Sequence, residues 1–214
     1  MLQQGTDEWR QARCGSVGAS DAPRVVRRIK SGGYSADRES LLAEKVLERL
    51  TSTPFEKYKS AAMLRGLERE PEARMMYELV RGVEVMEVAL FPHLNIKGSH
   101  ASPDGLVLQP GGTEAQGLLE VKCPEPPAHL DTLLNEQISN DYRIQMMWQM
   151  ACTGLPWVDY VSYSSDFPPH MAMWIRRVHR DNALIAELER EISTFIKEVD
   201  RKVAELSRRY PLAA

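Results

Sequence analysis

The chain has 214 residues, 43% hydrophobic and 27% charged, enough to bury one sizeable core. No stretch approaches a membrane span, no basic-then-apolar secretion signal opens the chain, and three cysteines without metal-ligand spacing suit a reduced, intracellular setting better than a disulfide framework. The formal charge of −3 argues against a generally basic nucleic-acid binder. Residues 10–38, however, carry Arg10, Arg13, Arg24, Arg27, Arg28, Lys30 and Arg38 against Asp21 and Asp37, a local +5 on a body of −8, which suits a grip on a polyanion at one place.

Two short helical stretches open the chain. Thr6 or Asp7 caps a first turn through Arg13, and Ser20 caps a second that ends near the loop SGGYS (31–35). Leu41, Leu42, Val46, Leu47 and Leu50 recur at helical spacing over Ser40–Leu50. A further helix runs from about Tyr58 to Arg81, kinked or divided at Pro71 and stopped by Gly82. The period then changes to two. VEVMEVAL (83–90), HASPDGLVL (100–108) and GLLEVKC (117–123) read as strands, the last two forming a hairpin across QPGGTEAQ (109–116).

PEPPAH (124–129) reads as turn, followed by a helix over Asn140–Thr153 that Gly154 closes. WVDYVSYS (157–164) and HMAMWIRRV (170–178) add two strands around SDFPPH. Leu184, Leu188, Ile192, Phe195, Val199, Val203 and Leu206 then form one apolar stripe on a long C-terminal amphipathic helix. The expected architecture is one α/β (α+β) domain over residues 1–214, a mixed β-sheet flanked by helices with further helices at the N-terminus.

Within the strands, Glu120 and Lys122 share one face, and Asp104 can reach the same place across the hairpin. Two carboxylates converging at a strand edge make a hard-oxygen site for Mg²⁺ or Mn²⁺, and a neighbouring ammonium can hold water and stabilise charge on a phosphate. An isolated Glu-x-Lys is an ordinary exposed strand face. SPDG upstream on an adjoining strand turns the odds toward metal-assisted phosphodiester hydrolysis.

DEWRQARCGSVGASDAPRVV, RGLEREPEARMMYE, GSHASPDGLV, GLLEVKCP, YRIQMMWQMACTG and WVDYVSY occur in an order and spacing that resembles the lambda exonuclease, or YqaJ-like viral recombinase, family of the PD-(D/E)xK nuclease superfamily. The resemblance implies a restriction-endonuclease-like core and two Mg²⁺ ions, with Mn²⁺ able to substitute. It implies 5′-to-3′ digestion of one strand of linear double-stranded DNA, releasing 5′-mononucleotides and leaving 3′ overhangs. It further implies a ring-shaped homotrimer in the cytoplasm of a phage-bearing bacterium, working beside a single-strand annealing protein.

By the same resemblance Asp104 bridges the metals, Glu120 and the Val121 carbonyl complete the first ion's shell, Lys122 positions the attacking water, and Glu70 stands near the second ion. Glu68 and Glu72 lie two residues either side of Glu70, point elsewhere on a helix and read as solvated charges. Gln145 matches an active-site glutamine, and Gln149 lies one turn further on the same face. Arg13 and Ser20 match a pocket for the 5′-terminal phosphate, where a helix N-terminus and a bidentate arginine both attract anions. Arg24, Arg27, Arg28 and Lys30 are candidate contacts to duplex phosphates, and Met63 stands where the family presents a leucine wedge.

His93, His100, His129, His170 and His179 show no ligand spacing and read as surface or packing residues. The alternatives are a structure- or sequence-specific endonuclease of the superfamily, which needs no end-reading pocket, and a catalytically silent DNA-binding subunit.

Overall fold

A mixed five-stranded sheet organises the computed structural model, which describes residues 3–55 and 60–211. The strands in chain order are β1 (Glu84–Met86), β2 (Phe91–Pro92), β3 (His100–Ala101), β4 (Gly105–Leu108), β5 (Ala115–Lys122), β6 (Trp157–Tyr163) and β7 (Met173–His179). The main sheet runs β1-β4-β5-β6-β7, with β5 and β6 parallel and the other neighbours antiparallel, while β2 and β3 pair separately. The helices are α1 (Asp7–Arg13), α2 (Ala22–Val26), α3 (Ala36–Thr51), α4 (Ala61–Arg81), α5 (Pro126–Asn135), α6 (Asn140–Thr153) and α7 (Asn182–Arg209), with a 3₁₀ turn at Ala19–Asp21.

Central β5 has a buried core on both faces. Leu118 packs with Met147 and Trp148 of α6 and Phe195 of α7, whereas Leu119 and Val121 pack with Ala73 and Tyr77 of α4. The strand period therefore sends Glu120 and Lys122 to the α6 side. The apolar stripe of α7 is real: Leu188, Ile192, Phe195 and Val199 are buried, and the helix packs on α2 and α3. Ser139 caps α6 by accepting from the Tyr142 N–H, and Gly154 closes it at φ 76°, a left-handed conformation that glycine adopts without strain.

Gly117 on β5 has a steric reason. A Cβ there would stand 2.3 Å from atoms of the Trp157 indole on β6. Gly117→Ala should therefore destabilise the sheet by about 1–3 kcal/mol, the usual cost of overpacking. Thermal melting checks this; an unchanged Tm would mean that the Trp157 ring yields freely.

The structure departs from the sequence reading in several places. HASPDGLVL is two strands in two sheets, because the chain crosses between them at Ser102–Asp104, where Pro103 offers no N–H. The strand expected over 83–90 ends at Met86. Beyond it the Val88 and Ala89 carbonyls accept from Gln4 Nε2 (2.7 Å) and Trp9 Nε1 (2.8 Å) instead of a strand. The stretch read as turn at 124–129 instead leads into α5, with prolines in its first turn where no N–H is needed. Helix α3 begins before Ser40, at Ala36, because Ser35 caps it through the Arg38 N–H. Helix α4 continues unbroken through Pro71; its expected start at Tyr58 lies outside the described residues.

Candidate active site

Where β4 ends, β5 runs on. The last pairing between them is Gly105 with Leu119, so the β4-side edge of β5 is bare at Val121. Asp104 fills that position. Its N–H donates to the Leu119 carbonyl (3.1 Å), and its Oδ2 accepts from the Val121 N–H (2.7 Å). The N–H and C=O of one residue face the same strand edge, so the Val121 carbonyl opens toward Asp104 without a strand partner. Gln4 steadies the approach by also donating to the Pro103 carbonyl (2.9 Å).

Glu120, only 1% exposed, points to α6. Its Oε1 accepts from Lys122 Nζ and from Gln145 Nε2 (2.6 Å), and its Oε2 from Gln149 Nε2. Gln145 and Gln149 are one helical turn apart, so α6 presents both amides to one carboxylate. Lys122 also lies 5.2 Å over the Tyr142 ring.

Glu70 enters from α4, with Arg74 at 3.2 Å. Glu68 is exposed, and Glu72 accepts from the Tyr163 hydroxyl (2.7 Å). Burial and the Glu120 charge hold the Asp104 carboxyl well above the usual range. Burial also raises Glu70, against the pull of Arg74. Burial alone would lower the Lys122 ammonium, but Glu120 and Asp104 outweigh it and hold it raised.

A cavity of about 230 Å³ joins these groups to the N-terminal segment. It is lined by Arg13, Ser20, Glu70, Asp104, Glu120, Val121, Lys122 and Gln145, together with Gln4, Trp9, Ala19, Leu67 and Ser102. The Arg13 guanidinium lies 4.0 Å over the Trp9 ring. The loop carrying Ser20 is shaped from behind by buried Lys45 on α3, which pairs with Asp21 (3.2 Å) and Glu48 (3.1 Å). Those carboxylates accept in turn from the Gly18 N–H (3.2 Å) and Gly15 N–H (3.0 Å).

Two expectations for this region change. Ser20 is not a helix cap: it sits inside the 3₁₀ turn, and α2 starts at Ala22, so any anion affinity there comes from Arg13 and the hydroxyl rather than a helix dipole. The basic segment is not a free cationic surface either. Arg24, with 18% of its side chain exposed, is held by Asp37 (2.7 Å) and Glu44 (2.9 Å). Arg27 pairs with Asp37 and Asp141, Arg28 with Glu191, and Arg38 with Glu198. Arg10 pairs with Asp7, which leaves Arg13 and Lys30 as the cations of this segment without an ion pair among the described residues. Met63 is 55% exposed on the first turn of α4, beside exposed Leu64 and Leu67. Arg24, Arg27, Arg28, Lys30 and Met63 all lie outside the cavity lining.

Sequence reasoning missed Gln4 and His100. Gln4 belongs to no motif, and His100 has no metal-ligand spacing, yet His100 is buried against Arg13. The proximity of His100 to SPDG was the available signal.

Among the described residues, no three His, Cys, Asp or Glu side chains are gathered so as to hold a metal ion by themselves. The donors that suit one are Asp104, Glu120 and the main-chain oxygen of Val121, with Glu70 across the cavity. All are hard oxygens fit for Mg²⁺ or Mn²⁺, and the mutual repulsion of buried carboxylates is what a cation relieves.

Residues 8–156 match the sequence family described as the YqaJ-like viral recombinase domain. The chain is similar to the alkaline exonuclease LHK-Exo from Laribacter hongkongensis, with 41% identity and a TM-score of 0.86 over 95% of this chain and 97% of that one. The same values hold for LHK-Exo in complex with dAMP. A phage-related exonuclease from Haemophilus somnus 129PT shares the fold, with 19% identity and a TM-score of 0.70 over 92% of this chain and 99% of that one. No curated protein sequence matches the chain. The motif order, the nuclease-like sheet and these likenesses agree that the chain belongs to the lambda exonuclease, or YqaJ-like viral recombinase, family.

Proposed function

We propose that the chain is an Mg²⁺-dependent 5′-to-3′ exonuclease, digesting one strand of linear double-stranded DNA to 5′-mononucleotides and leaving 3′ overhangs for strand annealing. The observation that carries this reading is one cavity that holds Asp104, Glu120 and Lys122 together with an arginine, Arg13, that forms no ion pair among the described residues. The likeness to LHK-Exo, described as an alkaline exonuclease, supports it.

In this reading Arg13 and Ser20 bind the 5′-terminal phosphate and place the next phosphodiester over Asp104 and Glu120. Bound Mg²⁺ supplies Lewis-acid polarisation and neutralises phosphate charge. Water attacks the phosphorus and the bond to the leaving O3′ breaks. The released nucleotide keeps its 5′-phosphate, O3′ gains a proton, and the shortened strand carries a new 5′-phosphate. That product end is again a ligand for Arg13, so each step recreates the grip needed for the next. Lys122, paired with Glu120, acts as an ammonium that orients water and stabilises charge developing on the phosphate. Gln145 and Gln149 hold Glu120 still. Ser102, whose buried Oγ has no hydrogen-bond partner among the described residues, offers one to substrate or water.

Linear and closed circular plasmid, incubated with and without Mg²⁺, test this reading. Only the linear form should disappear, and only with Mg²⁺. Nicking of the circle would favour an endonuclease, and cleavage of neither a binding subunit. Arg13→Ala should reduce the preference for 5′-phosphorylated over 5′-hydroxyl ends by about tenfold or more at fixed salt, the scale of one charge-assisted hydrogen bond. An unchanged preference would place the end pocket elsewhere.

A ring-shaped homotrimer is part of the proposal. Most of the basic segment is internally paired, and closure around DNA would retain substrate between steps. Light scattering should return three times 24.3 kDa; a stable monomer or dimer in active fractions would contradict closure.

A further inference from the structure

Arg13 differs from the other arginines of its segment in what anchors it. Arg24, Arg27 and Arg28 are each held by carboxylates. Arg13 instead donates from Nε to the Nε2 of His100 (2.9 Å), a side chain 2% exposed. With Nε2 accepting, the imidazole proton belongs on Nδ1, which faces Ser16 Oγ at 2.8 Å and donates to it. The His100 main chain is fixed as well. Its N–H donates to the Val17 carbonyl (2.9 Å), and the Val17 N–H donates to the Gly98 carbonyl (2.8 Å). Gly18 lets the pair close: a Cβ there would lie 3.1 Å from His100 Nε2 and 3.3 Å from an Arg13 terminal nitrogen.

A carboxylate anchor would orient Arg13 equally well, but it would spend the guanidinium's charge before any phosphate arrived. Imidazole takes only the Nε–H; the Asp21 and Glu48 charges act on Arg13 through space, but no carboxylate pairs with it among the described residues, so its terminal nitrogens are left for a ligand. Burial, then the Arg13 charge itself, pushes His100 down to about 3, so the ring stays neutral at working pH. His100 also stands four residues before Asp104, and the short segment Ala101–Pro103 ties the arginine's anchor to the hydrolytic carboxylate.

We infer that His100 is a positioning residue for 5′-phosphate recognition: it orients Arg13 toward the cavity through a neutral acceptor, without tying the guanidinium to a carboxylate. The inference rests on the end-binding role proposed for Arg13. It accounts for a buried histidine in a motif otherwise devoted to Asp104.

An isosteric pair of variants separates charge from shape. His100→Gln can keep a neutral acceptor for Arg13 Nε, whereas His100→Glu puts a carboxylate in the same place. His100→Asn can keep the Ser16 contact while its side chain falls short of Arg13. KM and kcat are measured at fixed salt on linear duplexes with 5′-phosphate or 5′-hydroxyl ends. Anisotropy of fluorescent duplexes in EDTA gives the same preference without turnover, and serves any variant that folds but turns over poorly. The preference for 5′-phosphate should persist in His100→Gln and fall by about tenfold or more in His100→Glu and His100→Asn, chiefly through KM for phosphorylated ends. Equal preference in the Gln and Glu variants would overturn the inference, as would an Asn variant that slows on both end types alike. If Arg13→Ala itself leaves the preference at the wild-type value, the end-pocket reading fails first. If Arg13→Ala abolishes it and the His100 variants do not alter it, the inference about His100 alone fails.

Discussion

Asp104→Ala should abolish strand cleavage while leaving binding to duplex ends largely intact. Positioning contacts to DNA come mainly from basic and backbone groups, whereas Asp104 contributes a metal-binding oxygen and a hydrogen bond to the bare Val121 N–H. Asp104→Asn separates these roles, because the amide oxygen can still accept from Val121 while the charge is gone. Both variants should lose at least about two orders of magnitude in rate. They should differ in stability. A carboxyl raised by burial and Glu120 is easiest to bury when protonated, so its stabilising contribution is present below the unfolded carboxyl value and is lost as pH rises through the folded one. Without metal at neutral pH, Asp104→Asn should therefore melt at or above wild type, and this advantage should vanish in acid. Wild-type turnover in either variant would remove Asp104 from the chemistry.

Lys122→Ala should lose at least about a hundredfold in kcat, the scale of a missing charge stabiliser or general acid–base group. In the structure the ammonium is spent on Glu120, so its removal should leave Mg²⁺ binding unchanged or tighter. Single-turnover rates across an Mg²⁺ titration separate the two effects. A variant that cleaves at the wild-type rate would reduce Lys122 to an ion pair on a strand face.

The alternation in GLLEVKC was enough to put Glu120 and Lys122 on one face, because strand geometry is local and period two survives any tertiary context. The span and stop of α6 are equally readable, and with them the turn that sets Gln145 and Gln149 side by side. What failed depended on distant partners. HASPDGLVL alternates like one strand, and nothing within it says that His100 and Gly105 belong to different sheets. The +5 segment was counted correctly, but Glu44, Asp141, Glu191 and Glu198 arrive from other helices to neutralise it. Prolines at 126 and 127 read as turn formers, yet their place in a first helical turn costs nothing. Ser20 reads as a cap by its type, although Gly18 and Asp21 arrange that turn.

The most direct measurement follows the two ends of one strand. A linear duplex with a 5′-phosphorylated strand carries one label on its 5′-terminal nucleotide or, in a parallel reaction, on its 3′-terminal nucleotide, and is digested with Mg²⁺. The 5′ label should leave at once as a mononucleotide while the 3′ label stays in a shrinking strand, and Glu120→Ala should release neither. Release of the 3′ label first, appearance of the 5′ label in oligonucleotides, or digestion by Glu120→Ala would contradict an exonuclease working from the 5′ end at this site.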